Sequence, residues 1–287
     1  LWTDGRYFIQ AAAQLKGTTV ELMKMGEPGV PEMNAYIEEV LKEGETLGFD
    51  GRVVSVGEGE GYAAIAGKKN AKVNYQVDLI DEIWEDRPVL SEEPAFNLDV
   101  NYAGETVASK LARIREEMKE AGTNVHVVST IDDICWTLNI RGNDIDFFPL
   151  VLSYGIITMY SFELYIDEKK LDDKLKVKLE KDGVNLHPYN DIYEDVKKFG
   201  SDVVAMIDPG KLNYALFNNI PENVKTVEKR NPAILMKAIK NPVEIENIRK
   251  AQIKDSVAHV RFMKWLKENV GKETITEMSA SDKLDEF

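Results

Sequence analysis

The segment KAIKNPVEIENIRKAQIKDSVA (237–258) decides the fold class, because it starts a long helix. Asn241 can cap that helix, Pro242 occupies the first helical position, where no N–H is needed, and Glu244 can reach back to complete a capping box. Apolar residues then recur at helical spacing to about Val270, which predicts a helix roughly 40 Å long at about 1.5 Å per residue. A long helix with such a cap usually opens a domain.

Both ends of the chain read as internal positions of a longer protein. The sequence reaches Phe287 inside what the pattern predicts as a further helix, opened by Thr274 and Glu277. It begins at Leu1 with what reads as the end of a strand, a turn and a helix over 8–15. We therefore expect a fragment that lacks most of the domain opened by the long helix; a processed but complete protein is the alternative.

Composition limits the classes of function. The length of 287 residues allows about two domains, and 44% hydrophobic with 30% charged residues is ordinary for a globular protein. The formal net charge of -14 argues against nucleic acid or an anionic membrane surface as a partner, because both require clustered cations. The only cysteine, Cys135, cannot form an internal disulfide, which fits a reducing compartment. No apolar run approaches the roughly 20 residues of a membrane helix.

Alternating strand and helix patterns predict two α/β units, at about 1–88 and 102–236, joined by a linker rich in proline and acidic residues. The clearest element is an amphipathic helix from Thr106 to Ala121, closed by Gly122. The predicted strands are 20–25, 46–50, 72–78, 125–129, 150–159, 161–166, 184–188, 203–208 and 224–227. The predicted helices are 8–15, 33–41, 62–66, 79–84, 106–121, 130–138, 192–199, 233–239 and the long helix.

The two units read as copies of one arrangement. Phe49-Asp50-Gly51 ends a strand in the first unit, and Ile207-Asp208-Pro209-Gly210 ends one in the second. A Tyr-Ala pair follows each, at Tyr62-Ala63 and Tyr214-Ala215, and then a strand and a short helix. We interpret this order as an internal repeat. The alternative is that any two α/β segments resemble each other at this level.

Candidate metal ligands are few. Asp255 and His259 stand four residues apart on the long helix and share a face, but a metal site normally takes three or more protein ligands. No HExxH or paired-cysteine spacing is present. We therefore interpret this pair as solvated surface residues, His126 as a hydrogen-bonded core histidine and His187 as a surface imidazole without a role.

Two further segments could carry chemistry but are interpreted as structural. Cys135, next to Trp136 in an amphipathic helix, reads as a buried, inert thiol rather than a nucleophile. The run VGEGEG (56–61) resembles a phosphate loop only superficially, because its two carboxylates would repel phosphate and no lysine follows. We predict a flexible, solvated loop there.

The loop NIRGND (139–144) places a guanidinium beside carboxylate and amide groups, just before Phe147 and Phe148. Polar groups on a rigid scaffold often bind ligands. We favour a structural role, with the loop held by an Arg141–Asp144 contact or by packing under a neighbouring domain. By residue chemistry alone, the chain is a two-unit α/β scaffold without a convincing catalytic constellation.

Three segments, LWTDGRYFIQAA (1–12), DDICWTLNIRGND (132–144) and KNPVEIENIRKA (240–251), carry a resemblance to a known family. In this order they closely resemble the Xaa-Pro aminopeptidases (aminopeptidase P) of the three-domain cytosolic type, which are creatinase/pita-bread metallopeptidases. The resemblance covers essentially the whole chain, and the three segments together are specific.

The resemblance implies an α/β fold with two creatinase N-terminal-type (ribonuclease H-like) domains, whose mixed sheets are flanked by helices. We expect residues 1–90 to be the C-terminal part of the first domain, 97–236 the second, and 237–287 the first helices of a pita-bread domain. In the family, that last domain holds two metal ions, usually Mn²⁺, through two Asp, one His and two Glu. Those ligands follow the long helix, so we expect no catalytic, cofactor-binding or metal-ligating residue in this chain, and no bound metal.

The function implied for the parent protein is removal of the N-terminal residue before a proline, with peptides that carry proline at the second position as substrates. The present domains would shape the substrate cleft and restrict access to it, and this chain alone would be inactive. A cytoplasmic location is implied, without nucleic acid or membrane partners, and a homodimer stays open. The alternative hypothesis is a non-catalytic peptide- or protein-binding module related to the pita-bread proteins.

Overall fold

The first ninety residues form only short strands. The computed structural model describes residues 1–287, and in this region the strands span only two or three residues. They pair in parallel twos, the first strand with the second and the third with the fourth. The elements are β1 (Trp2–Thr3), α1 (Phe8–Gln14), β2 (Met23–Lys24), α2 (Met33–Val40), β3 (Thr46–Gly48), α3 (Val56–Lys68) and β4 (Lys72–Asn74), with a 3-10 turn at Gly5–Tyr7.

The prediction of a loop at VGEGEG (56–61) is wrong, because these residues form the first turns of α3. Ser55 caps the helix, its Oγ accepts a hydrogen bond from the Glu58 N–H, and the Glu58 carboxylate reaches back to the Ser55 N–H. This capping box satisfies N–H groups that a helix start otherwise leaves unpaired. The segment predicted as helix 62–66 is therefore the second half of a longer helix.

The predicted short helix 79–84 is also wrong, because the segment consists of turns. Asp78 accepts hydrogen bonds from the N–H groups of Ile80 and Asp81, and its carboxylate pairs with Arg87 at 2.5 Å. Aspartate side chains that bond the following backbone compete with helix formation. The first unit therefore lacks the last helix of the repeat predicted from the sequence.

The second unit contains longer strands, of four or five residues where they form its main sheet. Strand β5 is Phe96–Asn97 and α4 is Val100–Ala103. There follow α5 (Val107–Glu120), β6 (Val125–Val128), α6 (Ile131–Leu138), β7 (Ile140–Arg141), β8 (Tyr154–Thr158), β9 (Phe162–Tyr165), α7 (Asp173–Lys181), β10 (Val184–His187), α8 (Ile192–Asp195), β11 (Val204–Ile207), α9 (Tyr214–Asn219), β12 (Lys225–Glu228) and α10 (Pro232–Ala238), with 3-10 turns at Glu168–Lys170 and Val196–Lys198.

Six of these strands form one mixed sheet in the order β10-β9-β8-β6-β11-β12. Strand β8 runs antiparallel to both of its neighbours, and the remaining pairs are parallel. The antiparallel β8–β9 pair confirms the hairpin predicted from 150–166. Successive side chains point to opposite faces, so the sheet carries a core on each side. One core has 22 buried residues and the other 14.

The two units meet through a reciprocal set of backbone hydrogen bonds between segments 51–57 and 209–215. Ser55 and Asn213, which cap α3 and α9, face each other in an antiparallel bridge. Tyr214 is the first residue of α9 and therefore corresponds to Val56, the first residue of α3. The predicted equivalence of Tyr214 with Tyr62, which lies in the middle of α3, is wrong. The hydrogen bonds are Val56 N–H to Leu212 O, Tyr214 N–H to Val54 O, Gly57 N–H to Pro209 O and Ala215 N–H to Gly51 O, all 2.8–2.9 Å long.

The long helix predicted from the sequence is α11 (Pro242–Asn269), and its capping box is present as expected: the Asn241 side chain accepts from the Val243 and Glu244 N–H groups, and Glu244 accepts from the Asn241 N–H. None of its residues is buried. The last helix, α12 (Glu277–Asp285), is capped by Thr276 with Ser279, not by the predicted Thr274. No helix is both long enough and apolar enough to cross a membrane.

Candidate functional site

His126 lies inside the sheet, as predicted for a core histidine. It is 1% exposed, with Nδ1 3.1 Å from the Met206 carbonyl oxygen and Nε2 3.3 Å from Asn231 Oδ1. Burial lowers the pKa of His126 below its ordinary value. Asn231 also donates to Asp133 at 2.9 Å, which ties α6 to the start of α10. The group is structural.

His187 has a definite partner, contrary to the prediction of a surface imidazole without a role. Its Nε2 lies 2.7 Å from a Glu163 carboxylate oxygen, and its ring stacks on Tyr165 with the centroids 4.9 Å apart. The pair joins the edge strand β10 to β9. Hydrogen bonds to Glu163, including that from His187, hold the pKa of that carboxyl below its ordinary value against the effect of its burial.

The pair Asp255 and His259 does not form a metal site. Both are exposed on α11, no hydrogen bond joins them, and the His259 ring contacts Phe262 edge-on with centroids 6.4 Å apart. Nowhere in the chain do three or more His, Cys, Asp or Glu side chains come together in an arrangement that could hold a metal ion. The residues present therefore do not fit a dinuclear metal centre.

Cys135 is buried as predicted. It is 1% exposed, and its Sγ accepts a hydrogen bond from the Val151 N–H at 3.4 Å. Burial raises the pKa of the thiol to about 11, so the reactive thiolate is not populated near neutral pH.

The predicted Arg141–Asp144 contact is wrong, because each side chain has other partners. Asp144 accepts from the Leu152 N–H at 2.7 Å and pairs with buried Lys170 at 2.5 Å. Its other oxygen, Oδ1, is buried without a hydrogen-bond partner. Arg141 instead donates from Nη1 to the carbonyl oxygens of Cys135 and Ile140 at 2.9 and 2.8 Å.

The cleft between the second unit and the start of α11 is the site that sequence reasoning missed. Lys110 of α5 is buried in its wall, and Arg141 lies beside it. The signal was present in the sequence. Lys110 falls within the apolar face of α5, three residues after Val107 and next to Leu111, where a solvated lysine would not be placed. The cleft therefore gathers positive charge, although the whole chain has a net charge of -14.

The six-stranded mixed sheet with helices on both faces defines the fold class of this chain as mixed α/β. A family model described as the creatinase/prolidase N-terminal domain matches residues 86–244, which is more than half of the chain. The chain belongs to this family.

The relatives that match the whole chain are aminopeptidases. Aminopeptidase P2 of Arabidopsis thaliana is 33% identical over 100% of this chain and 45% of its own length. Xaa-Pro aminopeptidase app-1 of Caenorhabditis elegans is 34% identical over 99% of this chain and 47% of its own length. The chain thus spans about half the length of these relatives.

One solved structure has the same fold throughout. It is an X-prolyl aminopeptidase from Caenorhabditis elegans, described as a cytosolic enzyme with a di-nuclear active site. The two chains superpose with a TM-score of 0.93 at 32% sequence identity, over 99% of this chain and 48% of the other. The mixed α/β fold implied by the family resemblance is therefore confirmed, whereas the domain boundaries at 90, 97 and 236 stay a prediction.

Proposed function

We propose that this chain is the non-catalytic N-terminal portion of a metal-dependent Xaa-Pro aminopeptidase, an enzyme that removes the N-terminal residue before a proline. The observation that carries the proposal is the agreement of fold over 99% of this chain with an X-prolyl aminopeptidase, of which the match covers 48%.

The exposed apolar face of α11 supports the presence of a further domain in the parent enzyme. Along this helix, Ile253, Val257 and Val260 recur at spacings of four and three residues, which places them on one face, and they are 47–70% exposed. Contiguous apolar surface of this kind marks a site of protein contact. In the proposed parent, the catalytic domain covers it.

The remaining features of the proposal rest on the family resemblance, and two of them, the di-nuclear site and the cytosolic location, also on the description of the Caenorhabditis elegans enzyme. The parent would hold two metal ions, Mn²⁺ in this proposal, in the catalytic domain and act on peptides with proline at the second position. It would be cytosolic, like the enzyme from Caenorhabditis elegans. The two α/β units would form one wall of the substrate cleft and restrict it to short peptides.

A chimera tests this proposal directly. The present chain replaces the corresponding N-terminal segment of the Caenorhabditis elegans enzyme, and hydrolysis of an Xaa-Pro tripeptide is measured with Mn²⁺. We expect release of the N-terminal residue by the chimera and none by the present chain alone. The unmodified enzyme is the positive control, and a tripeptide without proline at the second position is the specificity control.

Two outcomes would count against the proposal. Hydrolysis by the present chain alone would place catalytic residues within it. A folded chimera that binds Mn²⁺ but leaves the tripeptide intact would favour the alternative, a peptide- or protein-binding module.

A further inference from the structure

The cleft beside α11 has an unusual balance of charge. It encloses about 440 Å³, a volume typical of small-molecule sites, between the second unit and the first turns of α11. Four cations and two carboxylates line it, although the chain as a whole is strongly acidic: Lys110, Arg141, Lys237 and Lys240 against Asp132 and Glu244.

Lys110 is the most buried of these cations, with 1% of its surface exposed. Its Nζ donates to the Trp136 carbonyl oxygen at 2.8 Å and to Asn139 Oδ1 at 2.7 Å, and it lies 4.3 Å from the centre of the Trp136 ring. These partners are neutral, and no carboxylate lies within ion-pair distance. Burial lowers the pKa of Lys110 to about 8, which still leaves it mostly charged at neutral pH.

Arg141 is the second cation without a counter-charge. Its Nη1 donates to two carbonyl oxygens, whereas Nε and Nη2 make no hydrogen bond within the protein, and no carboxylate pairs with it. Burial lowers its pKa, which reflects the cost of holding this charge away from water. Three of the five guanidinium N–H groups therefore have no partner within the protein.

The other charges around the cleft are already engaged. Lys237 pairs with Asp132 and with Asp133, the latter at 2.7 Å. Glu244 accepts a hydrogen bond from the Asn241 N–H at 2.9 Å in the cap of α11. Lys240 is exposed and donates from Nζ to the Lys237 carbonyl oxygen, without a carboxylate partner. The cations that are at least partly buried and lack an ion-pair partner are therefore Lys110 and Arg141, and a buried cation without a partner lowers stability unless an anion joins it.

We propose that this cleft binds the carboxylate group of a small organic ligand, with Arg141 and Lys110 as the cationic groups that recognise it. A carboxylate presents two oxygens that match the spacing of guanidinium donors. Trp136, Leu150 and Ile248 also line the cleft and provide contacts for an aliphatic ligand body. The carboxylate belongs either to a chain end or to an acidic side chain, and the proposal does not depend on the reaction of the parent enzyme.

Calorimetric titration of the 287-residue chain with matched probes tests this proposal. N-acetyl-leucine and N-acetyl-leucinamide differ only in the carboxylate, and we expect the amide to bind about tenfold more weakly or worse. A third probe, the α-amide of N-acetyl-glutamic acid, carries its only carboxylate on the side chain. Tighter binding of this probe assigns the site to acidic side chains, and tighter binding of N-acetyl-leucine assigns it to chain ends. Equal binding of acid and amide, or no binding of either acid at millimolar concentration, overturns the proposal.

Variants locate the binding within the cleft. Lys110→Met and Arg141→Gln should each weaken binding of the preferred acid by about tenfold or more, because each removes a charge-assisted contact. Lys119→Met, an exposed lysine on the same helix, should leave it unchanged. Arg141 is only partly buried, so its variant gives a result even if Lys110→Met fails to fold. Unchanged affinity in a folded Arg141→Gln protein overturns the proposal.

Discussion

The first ninety residues and residues 97–236 share a pattern of alternating strands and helices but differ sharply in how much they bury. The first region has one small core of three buried residues, Leu41, Ile65 and Ala66. The second has clusters of 22 and 14 on the two faces of a six-stranded sheet. Strands of two or three residues pair with one neighbour only, so no continuous face forms for helices to cover.

The difference shows that the first region is held in place by its neighbour. Val56, at the start of α3, is fully buried and belongs to a core cluster of the second unit. Phe49 and Tyr75 contact the Tyr214 ring, with centroids 5.5 and 5.1 Å apart. The apolar contacts that fix the first unit thus lie largely at its boundary.

Separating the two regions into independent polypeptides should have the largest effect on folding. We expect residues 1–90 alone to show no cooperative unfolding transition, whereas residues 91–287 keep one. Burial of a large aliphatic side chain contributes about 1.5–3 kcal/mol, and three small contributions cannot offset about 1–2 kcal/mol of backbone entropy per residue. Urea titrations followed by circular dichroism compare both pieces with the whole chain. A cooperative transition in the 1–90 piece would show that its core suffices.

The buried charge of Lys110 sharpens the comparison, because no charged side chain of the first ninety residues is buried. Folding lowers the pKa of Lys110 from 10.5 to about 8. Below pH 8 both states are protonated and the cost of burial is fully present. As pH rises from 8 to 10.5, Lys110 loses its proton in the folded state before it does so in the unfolded state. The free-energy cost of burying the charged side chain therefore falls, by about 3 kcal/mol in total.

The measurement is the free energy of unfolding at pH 7.5 and 10.5, in the original chain and in Lys110→Met. We expect the original chain to gain about 3 kcal/mol relative to the variant over this interval. The charged groups that act on Lys110 are Glu105, Glu244, Arg113 and Arg141. Lys119→Met, the control on the exposed side of α5, should behave like the original chain. Parallel pH profiles for the original chain and Lys110→Met would contradict the expectation.

Alanine substitutions at two glycines of α3 should give the smallest changes in the free energy of unfolding, and the two changes should have opposite signs. A Cβ added at Gly59 would lie 2.2 Å from Cδ2 of Tyr214, whereas one at Gly61 meets no atom within 4 Å. We expect Gly59→Ala to lower the free energy of unfolding by about 1–3 kcal/mol, because it separates α3 from α9. Gly61→Ala should raise it by about 0.4–1 kcal/mol through the entropy of the unfolded chain. Urea midpoints that move in the same direction would refute the close packing at Gly59.

Elements fixed by neighbouring residues were predictable from the sequence. The apolar spacing of α5 and the Asn241 capping box of α11 are short-range signals, and both elements lie where they were expected. The glycine-rich start of α3 was predicted wrongly for two reasons. Ser55 and Glu58 form a capping box that the sequence does indicate, and this signal was overlooked. The glycine at position 59 is needed because of the Tyr214 side chain, which is distant in the sequence, so no local pattern indicates it.

The contacts of the candidate site were less predictable, because they join distant segments. Asp144 pairs with Lys170 rather than with nearby Arg141, and no local spacing indicates that choice. The cationic cleft forms only when β7, α5 and the start of α11 come together. Two of its residues gave a sequence signal: Lys110 through its place in the apolar face of α5, and Arg141 through its place in the polar loop 139–144, for which a structural role was favoured.

The hydrogen bonds between segments 51–57 and 209–215 relate the two units by an approximate two-fold axis near Ser55 and Asn213. Such a self-matching contact is the isologous type that joins the subunits of symmetric homodimers. Here one polypeptide carries both halves of the pair, so their effective concentration is set by chain connectivity. Dilution, which dissociates a homodimer, leaves this interface intact.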